Sequence, residues 1–395
     1  MIALLGYGKT TGAVAKRIEK SRIFADVEEI EHENDLQIFP ASLYEPDRFE
    51  LAIPSPGMPP SHPLVRRSHT IVSDYDYFYD SFPYSIWISG TNGKTTTTQM
   101  ITHLLHSRGA LSGGNIGTPI ASMDEKAPIW VLETSSFTLH YTSIARPNLY
   151  ILLPITPDHL SWHGSFRAYE AAKLKPLHRL KEGEIAIVPN RYAHLPTKGM
   201  LIGYEDAKEL ALKMGIDTKR VPFEGPFLLD AILALAVTKI LFGECEYEKI
   251  ASFRLDPHKQ EEFFDTKGRL WVDDSKATNI DAALSAIRRY EKRPLHLILG
   301  GENKGVSLLP LLQKLPSSTK IYAIGKAAQQ IYEDAKRVGL QVRLCGTLER
   351  AVEAIERLHS KDSVALLSPA CASLDQFSSY KERGERFKRL VLSKD

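Results

Sequence analysis

The feature that most constrains this chain is the stretch Ile86-Trp-Ile-Ser-Gly-Thr-Asn-Gly-Lys-Thr-Thr-Thr-Thr98. An apolar, β-favouring run ends at Ser89. Two glycines follow, and then Met100, Ile101, Leu104 and Leu105 recur at helical spacing. Strand, glycine loop and helix in that order predict a parallel sheet with crossover helices. The same stretch carries chemistry. Glycines let backbone N–H groups approach an anion, a helix N-terminus adds partial positive charge, and Lys94 adds a full one. Thr95 offers a hydroxyl to magnesium, so the expected ligand is a nucleoside triphosphate. The general pattern Gly-x4-Gly-Lys-Ser/Thr asks for glycine where this chain has Ile88. On the loop alone, an ordinary strand-to-helix turn with a surface lysine competes with the phosphate reading.

A chain of 395 residues is too long for one core and predicts two or three domains. Hydrophobic content of 43% and charged content of 25% are those of a soluble globular protein. A net charge of +2 gives no broad basic footprint, so nucleic acid is not an expected partner. Cys245, Cys345 and Cys371 are far apart, which argues against a disulfide framework or zinc site and fits a reducing cytoplasm. The apolar start ends at Gly6 and is too short for a signal peptide. The longest apolar stretch, 227–237, contains Asp230 and falls short of the roughly 20 residues that span a bilayer. It reads as a buried helix, with no membrane insertion.

Residues 1–83 read as a first α/β domain. A short strand leads into Gly6-Tyr-Gly-Lys-Thr-Thr-Gly12 and a helix. The third glycine comes one residue late for a dinucleotide turn, but Lys9, Thr10 and Thr11 add donors for a diphosphate. A turn without a ligand is an equal reading. Asp26 is placed loosely where a second strand could offer an acid to a ribose or base, and another strand, from Leu51, ends in the rigid turn at Gly57. The acidic-aromatic run 74–84 marks the junction to a second domain, 84–253, its aromatics packing between domains. There, Asn115 lies in a glycine loop, Glu133 at one strand end and His159 just beyond another. Acid and imidazole at such ends suit magnesium and substrate. Each alone reads as a loop acid and a packing histidine. Lys173, on a helix beside Ala172 and Leu174, reads as a snorkelling surface lysine. A third domain, 254–395, again alternates strands and helices. Its strand ends carry Asp274, Lys276, Thr278 and Lys304, and Ser373 reads as the cap of a final helix. Cys371 reads as structural.

Taken together, Gly90-Thr-Asn-Gly-Lys-Thr95, Gly114-Asn-Ile-Gly117, Glu133-Thr-Ser-Ser-Phe137, Asp158-His159, Ala172-Lys173-Leu174, Asp274-Ser-Lys-Ala-Thr-Asn279 and the run 367–377 resemble the Mur ligases of peptidoglycan synthesis. The last two motifs are similar to those of the D-glutamate-adding branch, and the family's loop also lacks the early glycine. The resemblance covers the whole chain. It implies an α/β fold of three domains: a Rossmann-like domain for the UDP part of the substrate, a central ATPase domain of phosphate-loop type, and a Rossmann-like C-terminal domain for the amino acid. The implied reaction is ATP-dependent addition of D-glutamate to UDP-N-acetylmuramoyl-L-alanine, by a cytoplasmic monomer using two magnesium ions.

Carried over by position, Gly90, Thr91, Asn92, Gly93, Lys94, Thr95 and Thr96 hold ATP, with Lys259, Asp274 and Lys276 from the third domain. Thr95, Glu133, His159 and Lys173 serve the metal, Lys173 as a carbamylated lysine. Lys94, His159 and Lys173 are the catalytic set. Lys9, Thr10, Thr11, Gly57 and Asn115 take the UDP substrate. Thr278, Lys304, Ser373 and Tyr380 take D-glutamate. The chain departs from the family at Lys259, where arginine is usual and bidentate phosphate binding is lost. Tyr380 stands where phenylalanine is expected, and the asparagines expected near adenine are replaced around 227–230. Two rivals remain at this level: a related ligase that extends folate with glutamate, and a phosphate-loop ATPase switch that makes no amide.

Overall fold

The computed structural model describes residues 1–303 and 305–393. They form two compact units, Met1–Phe253 and Arg254–Asp395. The first unit holds two sheets. Five strands make the first: β1 (Ile2–Leu5), β2 (Ser21–Ala25), β3 (Glu31–Glu33), β4 (Leu36–Pro40) and β5 (Leu51–Pro54), in spatial order 3-4-2-1-5. All neighbours are parallel except the β3–β4 hairpin, which turns through left-handed Asn34 and Asp35. Helix Lys9–Arg17 crosses from β1 to β2.

Six parallel strands make the second sheet: β6 (Tyr84–Ser89), β7 (Ala110–Gly114), β8 (Ile129–Glu133), β9 (Leu149–Leu152), β10 (Ile185–Pro189) and β11 (Met200–Tyr204), in order 11-10-9-6-8-7. The central strands read as unbroken apolar runs because both faces are covered. Helix Lys94–Leu105 lies against helix Pro226–Phe242, which is apolar on all sides and buried from Asp230 to Thr238. Chain order reverses around β6, with β8 on one side and β9 on the other. The carboxyl ends of these three strands therefore open the crevice where such sheets bind ligands.

The two sheets of this unit share one apolar core. Tyr75 meets Trp87 edge-on at 4.9 Å, and Phe82 meets Trp130 at 5.0 Å. Arg17 lies 4.4 Å over Phe78 and pairs with Glu125, tying the first helix to the second sheet. The acidic-aromatic run is thus packing between sheets. Asp76 anchors the far side by accepting the N–H groups of Ser143, Ile144 and Ala145.

The second unit is a six-stranded sheet of β12 (Glu261–Phe264), β13 (Leu270–Asp273), β14 (Leu295–Gly300), β15 (Lys320–Ile324), β16 (Gln341–Gly346) and β17 (Val364–Leu367), in order 12-13-17-14-15-16. Only the β12 edge is antiparallel. Apolar clusters cover its two faces. The final helix corrects the sequence reading. It runs from Tyr380 to Leu392 and is capped by Ser379, so Ser373 lies in the loop after β17 and caps no helix. All three cysteines are free. No helix among the described residues is long and apolar enough to cross a membrane.

Candidate active site

The loop after β6 is held open by its glycines. Gly90 has φ +138° and Gly93 φ +85°, conformations that L side chains rarely adopt. A Cβ on Gly90 would lie 2.4 Å from the Leu153 Cβ, and one on Gly93 would lie 2.7 Å from an Asp230 oxygen. Both clash with buried neighbours, so each position requires glycine. Thr91 staples the loop to the end of β9. Its hydroxyl donates to the Thr156 carbonyl at 3.0 Å and accepts the Thr156 N–H at 2.9 Å. Thr97, one turn into the helix, donates to Asp230 at 2.7 Å. Asn92, Thr95 and Thr96 complete the loop and first turn, with the Thr96 side chain buried.

Five ionisable groups share this crevice. Lys94 folds back on its loop, donating to the carbonyls of Gly90 at 3.0 Å and Thr91 at 2.8 Å. Burial lowers its proton affinity, while Glu133 and Asp158 act to raise it. Lys173 is 1% exposed and comes down beside the same loop. Its Nζ donates to the Gly90 carbonyl at 2.8 Å and to the Ser89 hydroxyl at 3.3 Å, 4.8 Å above the Tyr169 ring. Burial first, and the Lys94 cation second, push its ammonium well below the usual lysine range. The surface-lysine reading is therefore overturned.

Glu133 is 2% exposed at the end of β8. Asn115 donates to Oε1 at 2.6 Å, and Oε2 is buried without a hydrogen-bond partner. A buried carboxylate oxygen with nothing on it costs free energy unless a ligand or cation completes it. This oxygen is the observation that fits a metal: hard cations take carboxylate oxygen, and Thr95 follows Lys94 on the same loop that the Lys173 Nζ reaches. His159 has φ +52°, its ring 4.8 Å from Phe137 and its Nε2 3.7 Å from Asp158. Asp158, quoted with His159 as a motif but given no role from the sequence, is buried and felt by both lysines. Its place beside His159 was the available signal.

Beside this centre is a cavity of about 330 Å³ that joins both sheets of the unit. Lys9, Thr10, Gly57 and Asn115 line it together, with Asp74, Tyr75 and Phe137. Thr11 is not in its wall. That side chain is buried in the Gly6–Gly8 turn, donating to the Gly6 carbonyl and accepting the Gly8 N–H. Burial pushes Asp74 up to about 7. Asp26 points elsewhere and pairs with His62 at 3.0 Å.

In the second unit, Asp274 and Lys276 follow β13 and face the loop after β17. Ser368 donates to Asp274 at 2.7 Å, and burial pushes that carboxyl up to about 8. Lys276 Nζ sits 5.7 Å from the Tyr380 ring. Lys259 is buried and pairs with Asp256 at 3.1 Å. Thr278 is partly buried and Ser373 buried, on the two loops that Arg383 binds together. The Arg383 guanidinium donates to Ser275 at 2.8 and 3.0 Å and to the Cys371 carbonyl at 3.2 Å. Sequence reading missed Arg383, which looks like one more charge in Lys-Glu-Arg-Gly-Glu-Arg. Lys304 lies outside the described residues. Among those described, His258, Glu261 and Asp273 alone form a metal-like group, with atoms within 4.8 Å. Internal pairs satisfy it: His258–Asp273 at 2.6 Å and Glu261–Lys388 at 3.0 Å.

The sequence matches the Mur ligase middle domain over residues 88–217 and the Mur ligase, glutamate ligase domain over 261–371. It is 49% identical over 99% of both chains to a UDP-N-acetylmuramoylalanine–D-glutamate ligase of Campylobacter jejuni. It is 43% identical, again over 99% of each, to the enzyme of that name from Helicobacter pylori. Its fold is similar to that of the MurF ligase of Thermotoga maritima solved with ADP, with a TM-score of 0.60 over 99% of this chain and 93% of that one, at 17% identity.

Proposed function

The chain belongs to the Mur ligase family, and on that premise we propose that it joins D-glutamate to UDP-N-acetylmuramoyl-L-alanine, driven by ATP, in the cytoplasmic synthesis of peptidoglycan precursors. The observation that carries this reading is the end-to-end identity of 43–49% to ligases of that name.

The chemistry divides into two steps. An oxygen of the substrate's alanyl carboxylate attacks the γ-phosphorus of ATP, and ADP leaves. The amine of D-glutamate then attacks the acyl carbon, phosphate departs with the former carboxylate oxygen, and the amine loses a proton. For the first step the loop N–H groups at the start of helix Lys94–Leu105 cradle the phosphates. Lys94 exchanges its two loop carbonyls for phosphate oxygens and neutralises charge on the moving group.

Magnesium held by Thr95, Glu133, His159 and a carbamylated Lys173 would supply further neutralisation of phosphoryl charge. Asn115 fixes Glu133 through one oxygen and leaves the other for the cation. Lys173 meets the needs of a carbamate. Its amine is buried beside a second cation, which favours the neutral, nucleophilic form, and carbon dioxide would turn a repelling cation into a ligand.

The 330 Å³ cavity takes the nucleotide-sugar substrate, with Lys9, Thr10 and the 55–57 turn on its diphosphate side and Asn115 on the sugar. In the second unit, Lys259, Asp274 and Lys276 contribute to ATP, and Thr278, Lys304, Ser373 and Tyr380 to the D-glutamate carboxylates. Arg383 keeps those loops in place. The working form is a monomer. The test is amide formation from ATP and UDP-N-acetylmuramoyl-L-alanine with D-glutamate, L-glutamate, L-alanine or a diamino acid added singly. D-Glutamate alone should give product; preference for L-glutamate would contradict the reading.

A further inference from the structure

Three tryptophans of this chain, Trp87, Trp130 and Trp271, are fully buried in sheet cores. The fourth, Trp162, is different. It lies on the short helix Leu160–His163 immediately after His159 and is partly exposed. Its indole Nε1 donates to the Gly57 carbonyl at 2.9 Å, across 105 residues of chain. Its ring packs on Phe137 at 4.6 Å between centroids. A second aromatic donor holds the same turn: the Tyr141 hydroxyl donates to the Met58 carbonyl at 2.7 Å, and its ring lies 6.0 Å from Trp162. Gly57 and Phe137 both line the 330 Å³ cavity, one carried by the first sheet and one by the second.

We propose that Trp162 and Tyr141 form an aromatic clasp that positions the 55–58 turn against Phe137 and so sets the grip of the cavity on the nucleotide-sugar substrate. They are positioning residues for that substrate and touch neither ATP nor the reacting atoms. The inference rests on the cavity taking the nucleotide sugar. The physical argument is preorganisation. The turn after β5 belongs to a different sheet from Phe137 and His159, and two hydrogen bonds from rigid rings fix it before ligand arrives. Each bond offers a neutral donor to a backbone carbonyl, so the loss of one weakens binding by roughly fivefold.

Trp162→Phe keeps an aromatic ring and removes the donor; Tyr141→Phe removes only a hydroxyl and keeps the fold if the first variant does not. Steady-state kinetics should show the KM for UDP-N-acetylmuramoyl-L-alanine raised roughly fivefold in either variant, by more than kcat falls. The KM values for ATP and D-glutamate should hold. Titrating the wild-type enzyme with the nucleotide sugar should shift its tryptophan emission, and Trp162→Phe should lose that shift. If wild-type enzyme neither binds nor turns over the nucleotide sugar, the functional reading fails and the clasp with it. If wild type turns over and both variants keep its KM, or raise the KM of all three substrates alike, the clasp alone is overturned.

Discussion

Lys173 concentrates the argument at the scale of one residue. A lysine beside Ala172 and Leu174 is ordinarily a surface residue, and nothing in its immediate neighbours says otherwise. The signal lay four residues back: Tyr169 shares its helix face, and both are buried against the phosphate loop. What a face packs against is decided by tertiary structure, so the sequence could offer the pairing but not the burial. Glu133 was legible as an acid at a strand end, whereas its partnerless Oε2 was not. Lys173→Ala should lower turnover at least about a hundredfold, with short carboxylates restoring part of it, as a missing metal ligand would. Steady-state rates with and without added acetate check this, and full activity without acetate would remove the carbamate role. Glu133→Gln keeps the shape and loses the charge; the magnesium concentration needed for half-maximal rate should rise about tenfold or more.

At the scale of elements, the final helix makes a sharp case. Gly384 sits inside it, where alanine should favour the helix by about 1 kcal/mol. A Cβ there would lie 2.2 Å from His258 Nδ1 and 2.7 Å from Asp273, and the 2.6 Å bond between those two leaves neither free to move. The clash wins, so Gly384→Ala should destabilise the second unit by about 2 kcal/mol, read by denaturant unfolding. Strand β14 and the segment before β17 carry a second consequence. His296 and His359 are buried with ring centroids 5.5 Å apart, and burial pulls both down to about 4. The unfolded chain takes up those protons near pH 6.5, so stability present above that pH is lost as pH falls toward about 4. Asp274, pushed up to about 8, works in the opposite sense. His359→Gln leaves Asp274 in place, so calorimetry from pH 6.5 to 4 should show a shallower acid loss for the variant than for wild type. Strand and helix order was readable because apolar runs and glycine turns mark it locally. The start of the last helix was misread because Ser373 and Ser379 offer equal caps, and only packing chooses between them.

For the whole molecule, each of the three βα sheets carries candidate site residues at its strand ends. The phosphate loop, the acid at β8 and the lysine-bearing loop after β13 were all visible as motifs. Arg383 and the Trp162–Tyr141 clasp were not, because their partners lie 83 to 108 residues away or are backbone carbonyls that no side-chain pattern encodes. The central claim is that the phosphate loop delivers the γ-phosphoryl group to a carboxylate and not to water. Oxygen-18 in the alanyl carboxylate of UDP-N-acetylmuramoyl-L-alanine tests it directly. With ATP and D-glutamate present, the account predicts one labelled oxygen in each phosphate released, in step with amide formed. Unlabelled phosphate, or release that proceeds without D-glutamate, would contradict it.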